Sequence, residues 1–159
     1  MSIPVRSSVT THSSLVRARV SSVALDSIPT DWHGVANALL ITYIMRYNAD
    51  PVPSKMGTFS QYPYPHTLER YCECARFLGF VGKDDNETFE IFIQKIEELK
   101  DRCGIKKTIA DYGVKEEDFL ASLDDMVENA FNDQCTGANP RYPLMSEIKE
   151  IYLKAYYGN

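Results

Sequence analysis

Two textures of apolar and polar positions divide this chain. From Gly34 onward apolar residues recur at helical spacing, whereas residues 1–30 show no such stripe. Residues 35–47 (VANALLITYIMRY) are apolar nearly all round, the pattern of a helix enclosed in a core. Pro51 and Pro53 stop it, and four prolines with Gly57 between Asp50 and Pro65 predict an irregular loop. A second helix is expected over 67–78, with Leu68, Tyr71, Cys72, Ala75 and Leu78 inward and Gly79 as its left-handed stop.

The third helix has the clearest punctuation. Asp84 and Glu87 stand at capping-box spacing, Phe89, Phe92, Ile93, Ile96 and Leu99 form a stripe, and Gly104 closes the helix after Cys103. A fourth spans roughly 115–132, with Phe119, Leu123, Met126, Val127 and Ala130 inward and Glu116, Glu117 and Asp118 in its positive first turn. The last covers about 146–157 and carries Ile148, Ile151, Tyr152 and Ala155. No segment after Gly34 alternates with period two, so the expected body is all-α. Aromatic pairs such as Phe89/Phe92 and Tyr152/Tyr156 read as core.

Composition adds exclusions. At 159 residues and 44% hydrophobic content, the chain can bury one ordinary core. Residues 1–25 carry Arg6, Arg17 and Arg19 and no acid, while the remainder holds all 22 acids against 14 bases, for a net charge of −5. An acidic body without a clustered basic face does not favour nucleic acid. The longest apolar run, broken by Asn37 and Thr42, is too short for a membrane span.

Cys72, Cys74, Cys103 and Cys135 follow no secretory apolar segment, so reduced thiols in a cytoplasmic setting are expected. They read as buried structural thiols, and Cys72 and Cys74 point to different helix faces and make poor joint metal ligands. The Ser-rich, Arg-bearing residues 1–30, with Asp26 as their one acid, fit either an irregular segment or an organelle transit peptide.

Taken alone, the residues offer little chemistry. The chain has no glycine-rich phosphate loop, no GxSxG elbow and no HExxH pair. His12, His33 and His66 are far apart in sequence, and a lone histidine at a helix start is more often a satisfied side chain than a ligand.

Three stretches change that balance. WHGVANALLITYIMRYNA (Trp32 to Ala49), QYPYPHTLERY (Gln61 to Tyr71) and DQCTGANPRYPLMSEIKEIYLKAYYG (Asp133 to Gly158) resemble the C-terminal helical part of iron-dependent alcohol dehydrogenases. Within that family they are most similar to the alcohol dehydrogenase module of the bifunctional aldehyde/alcohol dehydrogenases. The resemblance covers about residues 33–158, which divides the chain into an unmatched segment, 1–32, and a partial helical domain, 33–159, of the dehydroquinate-synthase-like fold. The loop from Asp133 to Pro143 is expected to be ordered because it keeps close to the family segment.

In that family an N-terminal α/β domain binds NAD(P), and the helical domain holds Fe(2+) between an aspartate and three histidines. The resemblance assigns the third histidine ligand to His33, followed as in the family by Gly34 and the buried helix. Trp32 stands where the family has proline, and Val23 and Arg19 occupy the positions of a catalytic and a second metal-binding histidine. His33 is thus the one metal residue carried over, and no catalytic or NAD-binding residue is. A single imidazole cannot replace three or four donors in fixed geometry.

The resemblance therefore implies a fragment of an NAD-dependent, iron-containing enzyme interconverting acetaldehyde and ethanol, inactive as this chain alone and holding neither iron nor NAD tightly. An alternative is a non-catalytic helical module that docks on full-length dehydrogenase subunits, which in this family form filaments. An apolar face around residues 35–47 is expected to be left for such a partner.

Overall fold

The computed structural model describes residues 32–53, 55 and 66–158. The expected irregularity of residues 1–30, and most of the loop expected over 50–65, fall outside the described residues. Five helices follow in order: α1 (Trp32–Asn48), α2 (Thr67–Phe77), α3 (Asp85–Arg102), α4 (Glu116–Phe131) and α5 (Met145–Tyr157). Single 3-10 turns lie at Ala110–Tyr112 and Thr136–Ala138. No strand is present among the described residues, so the all-α expectation holds.

Helix ends follow local chemistry. Asp84 accepts the Glu87 N–H at 2.9 Å, but the Glu87 carboxylate reaches Lys83 N rather than the cap's own N–H, so the box is displaced by one residue. Gly79 and Gly104, at φ 84° and 73°, close α2 and α3. The bonds Phe80 N to Ala75 O and Ile105 N to Lys100 O satisfy carbonyls the helices would leave unpaired.

α1 lies between two helical pairs. Its Leu39 and Leu40 join Phe119, Leu123, Met126, Val127 and Ala130 of α4 and Ile148, Tyr152, Ala155 and Tyr156 of α5 in one core. Met45 and Ala49 join Cys72 of α2 and Phe89 and Ile93 of α3 in a second. A helix feeding two cores needs apolar residues on more than one side, which explains its all-round pattern.

Three sequence expectations are corrected. Leu78 is 56% exposed because the Gly79 turn carries the chain away just after it. Leu99 is 54% exposed and Lys100 is buried in its place. At 100° per residue, position 100 returns to within about 20° of Phe89 after three turns, whereas position 99 is about 80° off. The thiols are not uniformly buried: Cys72 is, but Cys74 and Cys103 are exposed and Cys135 is intermediate. All four are free, and Cys72 and Cys74 do lie on different faces.

Candidate functional site

His33 is the second residue of α1, so its backbone is fixed in the helix's first turn. Gly34 follows on an exposed part of that turn, with open space where a Cβ would project. His66 precedes α2 and accepts the Arg70 N–H through its carbonyl, far along the chain from α1's start. His12 lies outside the described residues. Among the described residues no group of three or more His, Cys, Asp or Glu side chains could hold a metal ion. The donors described here therefore do not fit an iron site by themselves.

The other end of α1 is held by a buried polar cluster. Arg141, only 9% exposed, donates through Nη1 to Tyr47 O at 2.9 Å and to Asp50 Oδ2 at 3.0 Å. Its Nη2 donates to Glu147 Oε1 at 2.6 Å, and its guanidinium lies over the Tyr47 ring. The Tyr47 hydroxyl donates to Glu147 Oε2 at 2.8 Å, and the same oxygen accepts Leu144 N–H at the start of α5. Asn48 and Asn139 exchange amide bonds at 3.1 and 2.8 Å. The last carbonyls of α1 thus find a cation where the helix dipole is negative.

This cluster forms one end of a cleft of about 670 Å³ between α1, α3 and α5, whose walls include Thr42, Tyr43, Glu97, Glu150 and Lys154. Burial raises the Tyr43 hydroxyl, and the neighbouring Glu97 charge raises it further. Burial and the bond to Glu147 likewise push Tyr47 well above the ordinary tyrosine value. Both phenols are protonated at neutral pH, and the Tyr47 hydroxyl serves as a hydrogen-bond donor rather than a base. Burial also raises Glu97, but bonds from Thr42 Oγ1 at 2.6 Å and Lys100 Nζ at 2.9 Å outweigh it, so the carboxyl sits below its ordinary value.

Sequence periodicity missed the Arg141 cluster, because a loop arginine has no helical register. The signal available was the unusual stretch from Asp133 to Glu150 itself. Its loop is fixed as expected: Thr136 is buried and donates to Ala130 O at 2.6 Å, and Cys135 N donates to Asp133 Oδ1 at 2.8 Å.

Residues 28–156 match the model of the Fe-containing alcohol dehydrogenase family, C-terminal part. The chain belongs to that family. It is 51% identical over 128 residues to the bifunctional aldehyde-alcohol dehydrogenase AdhE of Escherichia coli strain K12, covering 79% of this chain and 14% of that protein. The aldehyde-alcohol dehydrogenase of Clostridium acetobutylicum is 47% identical over 123 residues, covering 77% of this chain and again 14% of the relative. Among solved structures, the iron-containing alcohol dehydrogenase of Thermococcus thioreducens matches with a TM-score of 0.61 and 32% identity, over 80% of this chain and 28% of that one. The chain thus spans about one seventh of the bifunctional relatives. As a member of this family it corresponds to the C-terminal helical segment, and no described helix is long and apolar enough to cross a membrane.

Proposed function

We propose that this chain is the C-terminal helical part of an NAD-dependent, iron-containing alcohol dehydrogenase of acetaldehyde/ethanol type, acting in the cytoplasm, and that it is inactive by itself. His33 contributes one ligand to an iron site whose other donors, and whose NAD pocket, come from sequence that the described helices do not supply. The observation that carries this reading is the match of residues 28–156 to the C-terminal part of the family, with the backbone of His33 in the first turn of α1.

The reading is tested in a chimera that joins residues 33–158 to the upstream part of the E. coli relative, with proline at position 32. Iron content and NAD-dependent ethanol oxidation are both expected to return. In that protein His33→Ala is expected to weaken iron binding by at least about 10-fold, while His66→Ala leaves it unchanged. Equal effects of the two substitutions would remove His33 from the metal.

A further inference from the structure

We draw no further inference here: the strongest candidate, the exposed apolar patch of Phe77, Leu78 and Val81 at the turn between α2 and α3, carries none because nothing in the structure shows what covers it.

Discussion

The guanidinium of Arg141 lies 3.9 Å from the centroid of the Tyr47 ring and also donates to the Tyr47 carbonyl oxygen at 2.9 Å. One loop side chain thus grips both the face of an α1 residue and the end of the α1 hydrogen-bond ladder. Through Glu147 it joins that end to the first turn of α5. Arg141 and Glu147 keep only 11% and 15% of their side chains exposed. Removing the cation strands a carboxylate that water reaches poorly. Arg141→Ala is expected to lower stability by about 3 kcal/mol in urea unfolding. Asp50→Asn, which touches the more exposed partner, is expected to cost less than about 1 kcal/mol. Arg141→Lys keeps the charge without the planar fork and is expected to fall between them. A loss under 1 kcal/mol for Arg141→Ala would show that the cluster decorates the fold rather than fastening it.

The contact between α1 and α3 is expected to weaken in acid through Glu97. Its carboxyl is held below the ordinary glutamate value by Thr42 and Lys100 despite its burial. A lowered folded-state pKa means that the ionised form is preferred in the folded protein. The stability this supplies is complete above the unfolded value and is lost as pH falls through the lower folded one. Glu97→Gln is therefore expected to be less stable than the parent at neutral pH, with the difference closing as pH falls through the carboxylate range. Urea midpoints of the two proteins measured side by side give the comparison. A gap that widens in acid would mean the sign is wrong.

Much of the fold was legible because local and global demands agree. The spacing of Phe119, Leu123, Met126, Val127 and Ala130 gave α4, and each of these residues is buried. Asp84 named the start of α3, and Gly79 and Gly104 named two helix ends. Periodicity failed at Leu78, just past the end of α2, and at Leu99, inside α3 but out of phase with Phe89 on its buried face. Lys100 escaped notice because its stem can line a core while its ammonium bonds to Glu97. The proposal of His33 as a ligand comes from family resemblance alone, since periodicity gives a lone histidine no role. Arg141 was not legible at all, since its role depends on Tyr47 and Asp50, more than 90 positions away in sequence.

Two glycines are expected to respond in opposite directions to the same substitution. A Cβ on Gly82 would stand 2.6 Å from Thr88 N, against the backbone of the first turn of α3. That backbone is pinned, because Gly82 N donates to Thr88 Oγ1 at 3.0 Å and Thr88 is fully buried. Gly82→Ala is expected to cost roughly 1–3 kcal/mol. Gly34 has nothing within 4 Å of its Cβ position and sits inside a helix, so Gly34→Ala is expected to add roughly 0.5–1 kcal/mol. Thermal or urea unfolding of the pair decides it. A stabilised Gly82→Ala would mean that the α2–α3 corner opens without penalty.

The isolated chain is expected to show no NAD-dependent ethanol oxidation or acetaldehyde reduction above background, even after anaerobic incubation with iron. Of the residues assigned to metal or proton chemistry by family resemblance, it keeps His33 alone, since Arg19 and Val23 stand where histidines are expected. No described cluster of His, Cys, Asp or Glu side chains supplies further donors. One neutral imidazole leaves most of an iron ion's coordination to water, and such an ion is lost on dilution or dialysis. Metal analysis after gel filtration is expected to find far less than one iron per chain, and His33→Ala to change that value little. Stoichiometric iron that survives filtration and disappears with His33→Ala would show that this chain completes a metal site from other residues. Turnover lost in the same variant would go further and make the chain an enzyme in its own right.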